Sequence, residues 1–133
     1  MERVTITGGA GFLELNTGGR AELPQSLRIA LATGQVRLPL AETLRDLLAL
    51  LVDGQYRISG PQRLDALDLV PASPWPDDDD ARVTYYRTAI RSGHRPVAVV
   101  LSGTQAFLLD GHHKISAYRA EGVTPSVVLI SGS

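Results

Sequence analysis

One stretch constrains this chain of 133 residues more than any other: the run from Ala106 through Asp110-Gly111-His112-His113-Lys114 to Gly122. Ala106 to Leu109 reads as a short buried strand, and Ile115 to Glu121 reads as a helix stopped by Gly122. Asp110 to Lys114 therefore fall on a strand-to-helix turn. Gly111 permits a tight backbone there without steric cost, and the first turn of a helix leaves N–H groups whose partial positive charge attracts anions. A phosphate suits that description. His113 and Lys114 would add side-chain donors. For Asp110 three chemical roles stay open: orienting a histidine, holding a magnesium ion or serving as a base. A fourth role is structural, as the helix N-cap. The two histidines make a poor chelate, because neighbours on a helix point roughly 100° apart. Lys114 is the sole lysine of the chain. Its structural alternative is a solvated surface charge.

Upstream, Val4 to Thr7 and Phe12 to Leu15 read as strands around Gly8-Gly9-Ala10-Gly11, a hairpin pattern. The glycine cluster lacks the Lys-Ser/Thr of a P-loop and the spacing of a dinucleotide fingerprint, and no helical pattern follows it, so it reads as a turn. Pro24 to Thr33 reads as a helix with Pro in its first turn and Gly34 beyond its end, and Val36 to Leu38 as a short strand. Leu40, Leu44, Leu47, Leu48 and Leu51 follow one helical stripe closed near Asp53-Gly54. That stripe is either core or a partner-binding face. Tyr56 to Ile58 and Leu64 to Val70 read as strands.

The segment Pro71 to Asp80 is irregular. Its prolines exclude a helix or a central strand, and the carboxylates Asp77 to Asp80 repel one another unless solvated or bound to cations. Asp80 is placed to cap a helix carrying Val83, Tyr86 and Ile90. The functional alternative for the acidic run is a magnesium or substrate contact. Trp75 would stack on a base or cover the edge of the core.

With 44% hydrophobic residues the chain can build one compact core and hardly two. A formal net charge of −1 supplies no global field toward DNA or an anionic membrane. The absence of cysteine excludes disulfides, thiolate catalysis and cysteine-ligated zinc. The longest apolar run, Leu47 to Val52, falls far short of the roughly 20 residues that span a bilayer, and the start carries no signal-peptide core. A cytoplasmic protein with no membrane partner is the expectation.

The run Arg91-Ser92-Gly93-His94-Arg95-Pro96-Val97-Ala98-Val99-Val100, then Phe107 to Arg119, then Gly122-Val123-Thr124-Pro125-Ser126-Val127-Val128-Leu129-Ile130 resembles the ParB/sulfiredoxin superfamily. So does the upstream order: Leu67 to Pro71 as first strand, Pro74-Trp75-Pro76 as proline-rich loop, and a helix from about Asp80 to Ser92. The resemblance covers about residues 61–130. It implies an α+β fold, a ParB/sulfiredoxin-like mixed sheet packed with helices, with residues 1–60 as an N-terminal α/β extension and 61–133 as a nucleotide-binding core. It also implies nucleotide phosphate held around Gly111, His112, His113 and Lys114 with Asp110 nearby. Lys114 stands where most relatives carry arginine, which keeps the charge and loses the bidentate fork. His112 stands where sulfiredoxin chemistry needs a cysteine, so sulfinic acid reduction is excluded. The DNA-reading and dimerisation segments of partition proteins are expected beyond the closing strand, and the sequence stops at Ser133.

The expectation is a nucleotide-binding enzyme, an ATP- or ADP-dependent phosphotransferase or a nucleotide hydrolase working with Mg2+. Asp110, His112 and His113 are its candidate catalytic residues, and Asp110 its candidate metal ligand. A small-molecule acceptor fits the free-serine kinases of the superfamily, whose catalytic glutamate lies upstream; Glu14, Glu22 and Glu42 are the candidates here. The alternatives are a ParB-like nuclease or DNA-processing module, with a basic groove of Arg82, Arg87, Arg91 and Arg95, and a non-catalytic interaction domain.

Overall fold

The structure is a computed structural model, and it describes residues 2–9, 39–49, 51–64, 69–71, 74–77, 79–103 and 105–132. The readings of Phe12 to Leu15, Pro24 to Thr33, Val36 to Leu38, Glu14 and Glu22 lie outside those residues.

Three β-rich runs bounded by Gly and Pro become the centre of the fold: β4 (Val97–Ser102), β5 (Ala106–Asp110) and β6 (Ser126–Gly132). With β1 (Glu2–Ile6), β2 (Gly54–Arg63) and β3 (Leu69–Pro71) they form a six-stranded sheet in the order β1-β2-β6-β4-β5-β3. The sheet is mixed. β4 runs parallel to β6 and β3 parallel to β5, while β1–β2, β2–β6 and β4–β5 are antiparallel. The class is therefore α+β. β1 finds its partner in β2, pairing Glu2 with Ile58 and Ile6 with Gly54. The division expected at residue 60 falls inside β2, whose two ends both pair with β6, so the strands on either side of it share one sheet.

Alternation along β4 sorts its side chains onto two faces. Val97, Val99 and Leu101 point into one cluster with Phe107, Leu109, Val128 and Ile130. Leu40, Leu44, Leu47, Leu48 and Leu51 cover that cluster. The leucine stripe is thus core. It is not one helix, however, but two short ones, α1 (Leu40–Thr43) and α2 (Arg45–Leu48), separated at Leu44 by a non-helical backbone of φ −96° and ψ 12°. Helices this short stand on packing rather than on their own hydrogen bonds, so the spacing encodes which residues are buried and not the continuity of the helix. The Glu2 carboxylate accepts hydrogen bonds from the Leu40 and Ala41 amides and ties α1 to β1.

On the other face, Ala98, Val100 and Leu108 meet Ile115 of α4 (His112–Glu121). α3 (Ala81–Arg91) packs beside α4 through Val83, Ile90, Ala117 and Tyr118. Among the described residues no helix is long and apolar enough to cross a membrane.

Leu44 has no exposed surface. Leu44→Ala is expected to lower the free energy of urea unfolding by about 2–5 kcal/mol, the range for emptying a packed leucine site. A leucine reserved for a partner would leave the isolated protein within about 0.5 kcal/mol of its original stability.

Candidate functional site

The turn after β5 is built on one glycine. Gly111 takes φ +100°, and a Cβ there would come within 2.7 Å of the Ala98 Cβ. Only glycine fits both demands. Because Gly111 turns the chain so abruptly, α4 starts at His112, three residues before the start predicted at Ile115. His112, His113 and Lys114 are therefore the first turn of the helix rather than a loop. Asp110 ends β5 opposite Val99, and Gly111 holds the N-cap position. The capping role weighed for Asp110 is thereby overturned. Among the described residues no side chain caps α4.

Helical geometry sends the three polar side chains in different directions. His112 is 9% exposed and meets the Trp75 ring edge-on, with centroids 5.7 Å apart. Burial holds its pKa below the ordinary histidine value, against the pull of the nearby Asp110. His113 is half-buried and brings Nε2 to 3.4 Å from Asp80 Oδ2. Lys114 turns inward: it is 3% exposed and Nζ donates to the Val97 carbonyl at 2.9 Å. Its Nζ also stands 5.7 Å from the centre of the Tyr86 ring. The solvated-charge alternative for Lys114 is overturned, and its ammonium is committed to the fold. Burial pushes its pKa down to about 8, and Asp110 works in the opposite direction. Asp110 is the carboxylate whose field reaches His112, Lys114 and Tyr86 together.

α3 and α4 lie side by side with their starts at one end. Asp80 caps α3 by accepting from the Arg82 amide at 2.8 Å, and its other oxygen faces His113 at the start of α4. The Arg82 hydrogen bond, seconded by His113, holds the Asp80 carboxyl below the ordinary carboxylate range. At the far end Glu121 collects Arg87 at 2.7 Å and Arg91 at 3.0 Å. Arg95 donates to the Ile90 and His94 carbonyls at 3.0 and 2.7 Å. Three of the four arginines expected to line a basic groove thus fasten the helical layer to itself.

Beside the turn a cavity of about 480 Å³ opens between α3, α4 and the Trp75-Pro76 segment. Ser116 and Arg119 of α4 line it, and none of Asp110 to Lys114 does. Among the described residues no three His, Asp or Glu side chains group to hold a metal ion. The described residues therefore offer Asp110 no companion ligands for a resident magnesium centre, and Asp78 of the acidic run lies outside them. The Gly8 and Gly9 amides are taken by Asp53, at 3.0 and 2.6 Å, so the described part of that glycine cluster is engaged by the fold. Glu42, the one candidate glutamate among the described residues, lies in α1 on the opposite face of the sheet from α4.

Several residues of this region were not singled out from sequence. Tyr118 is buried and its hydroxyl donates to the Pro96 carbonyl at 2.7 Å. Its spacing of four from Lys114 was the available signal, since both then share one helix face. Glu121 and Ser116 gave none, because their partners and surroundings come from another element. Compared with protein-family models, with curated proteins and with solved structures, the chain matches none.

Lys114 has a folded pKa of about 8 against an ordinary 10.5, so the unfolded chain binds the extra proton between those values. Stability is then expected to rise with pH above about 8, approaching 1.4 kcal/mol per pH unit at most. Tyr86 and Tyr118, whose pKa values burial raises above 10, act in the opposite sense beyond that pH. The test is urea unfolding across pH 8 to 10, in which Lys114→Met should remove the rise. A Lys114→Met profile identical to that of the unaltered protein would show that folding does not lower the pKa of the ammonium.

Proposed function

We propose that the chain binds a nucleotide, ATP or ADP, with its phosphates at the start of α4, and acts as a phosphotransferase or nucleotide hydrolase. The observation that carries this reading is the first turn of α4, which Gly111 opens with backbone alone and which no side chain caps among the described residues. Such a turn aims amide N–H groups outward and favours an anion by roughly 0.3–1 kcal/mol per charge. The start of α3 lies next to it, so two positive helix ends meet at one place. The resemblance to the ParB/sulfiredoxin superfamily agrees, since Gly111, His112, His113 and Lys114 fall on its phosphate-binding turn.

In this reading the Gly111 turn and the amides that follow it hold phosphate oxygens. His113, half-buried beside Asp80, is the imidazole with a path to donate to them. Lys114 acts through its charge from beneath the turn, where low polarity lengthens its reach. His112 braces the turn against Trp75. Asp110 is the group to take a proton from an acceptor hydroxyl or water. Phosphoryl transfer asks a protein chiefly for positioned positive charge, and these groups supply it. Magnesium belongs to the substrate here, arriving on the nucleotide's phosphates, because the described residues offer no cage of their own. The DNA-processing alternative has less support, since Arg87, Arg91 and Arg95 are committed to Glu121 and to helix carbonyls.

Thermal unfolding with ATP, ADP, CTP or GTP, with and without magnesium, tests the reading. At about one hundred times its dissociation constant a true ligand adds about 2.7 kcal/mol of stability. His113→Ala should abolish that gain while leaving the melting temperature of the free protein nearly unchanged, since the side chain is only half-buried at the start of α4. No shift with any nucleotide would sink the proposal, and binding without phosphate release or transfer would reduce it to a nucleotide-dependent interaction module.

A further inference from the structure

The start of α4 already has an anion beside it, and that anion belongs to the protein. Asp80 closes the acidic run and stands where α3 and α4 begin next to each other. Its two carboxylate oxygens do different work. Oδ1 accepts from the Arg82 amide at 2.8 Å and caps α3, while Oδ2 lies 3.4 Å from His113 Nε2. The first contact is a full hydrogen bond. The second is longer than the roughly 2.7–2.9 Å of a charge-assisted bond, and both side chains keep part of their surface in water, 27% for His113 and 34% for Asp80. It is a contact easily exchanged for a better one. The Arg82 amide and His113 both favour the ionised carboxyl, so the charge is in place at neutral pH. His113 thus faces a carboxylate oxygen where the nucleotide reading has it face a phosphate oxygen.

We propose that Asp80 is an internal competitor for the phosphate-binding turn, and the proposal rests on the nucleotide reading of that turn. Its carboxylate engages His113 while the site is empty and repels an arriving phosphate, so it sets the affinity that a ligand must exceed. A tethered anion competes at a fixed, high effective concentration, whatever the solution holds. The two functions of the side chain are separable. Capping α3 needs only an oxygen at Oδ1, whereas competition needs the negative charge, and asparagine keeps the first while losing the second.

The unaltered protein and Asp80→Asn are titrated by calorimetry with ATP, ADP and pyrophosphate, each with and without magnesium. Asp80→Asn should bind the phosphate ligand about fivefold more tightly or better, with its melting temperature unaltered. The gain should shrink as salt rises from about 0.01 to 0.1 M, over which the screening length falls from about 30 to 10 Å. Asp79→Asn, which removes an equal charge from the exposed neighbour, should leave affinity within about twofold of the unaltered protein. The His113 imidazole resonance, assigned by its loss in His113→Gln, should move on Asp80→Asn and move again on addition of pyrophosphate. The proposal is overturned if Asp80→Asn binds no tighter, if Asp79→Asn gains as much, or if the His113 resonance responds neither to Asp80→Asn nor to ligand. Binding by the unaltered protein without a gain in Asp80→Asn removes this inference and leaves the nucleotide reading standing; no binding by either protein removes both.

Discussion

Two buried hydrogen bonds from one face of α4 fix the position of everything at the candidate site. Lys114 Nζ donates to the Val97 carbonyl at 2.9 Å, and four residues on the Tyr118 hydroxyl donates to the Pro96 carbonyl at 2.7 Å. Both acceptors sit at the head of β4, so the helix is fastened along its length to one point of entry into the sheet. Breaking either bond would strand a buried polar group, which costs more than the bond itself contributes. The approach of Gly111 to Ala98 follows from the same docking: with α4 held against β4, only a residue without a Cβ can stand between them, and only a small one can stand opposite.

The alternation of β4 divides the labour of the protein between two faces. Val97, Val99 and Leu101 serve a hydrophobic cluster roofed by the leucines of α1 and α2, in which the Tyr56 hydroxyl is spent on the Val52 carbonyl. Ala98 and Val100 face α4, and His112, His113 and Lys114 lie on that side with α3. More than burial holds the helical layer together: Asp80 stands between the helix starts and Glu121 between their ends.

Local order was legible in the sequence wherever Gly, Pro or a capping residue punctuates it. Asp80 caps α3 and Gly122 ends α4 in a left-handed conformation, both as the residues predict. The start of α4 was misplaced because it lacks a capping side chain, so the pattern signalled only the apolar residues from Ile115 onward. The leucine stripe disclosed its burial but not the break at Leu44, since burial periodicity survives a kink that hydrogen bonding does not. The pairing of β1 with β2 joins residues some fifty positions apart and has no local signature. At the site the sequence identified the turn and its residue types, yet not the inward direction of Lys114. Ile115 and Tyr118 on the same face carried that information, because a lysine flanked by buried positions at i+1 and i+4 must bury its stem.

A lysine so placed changes what kind of cation the turn possesses. An exposed ammonium is hydrated and screened, and its attraction for a phosphate is small by the time both have kept their water. Lys114 has already surrendered its hydration to the fold, with the Val97 carbonyl in place of water, and burial lowers its pKa to about 8 for that reason. An anion arriving at the amides above would favour the charged form and draw the pKa back up, so anion binding and lysine protonation are coupled through the first turn of α4. Asp110 sits in the same field and supports the protonated form before any ligand arrives. If the bend is an anion site as proposed, the inward turn would make the lysine a fixed charge behind a backbone cradle rather than a direct ligand, the arrangement least costly to reorganise when charge develops on a phosphate.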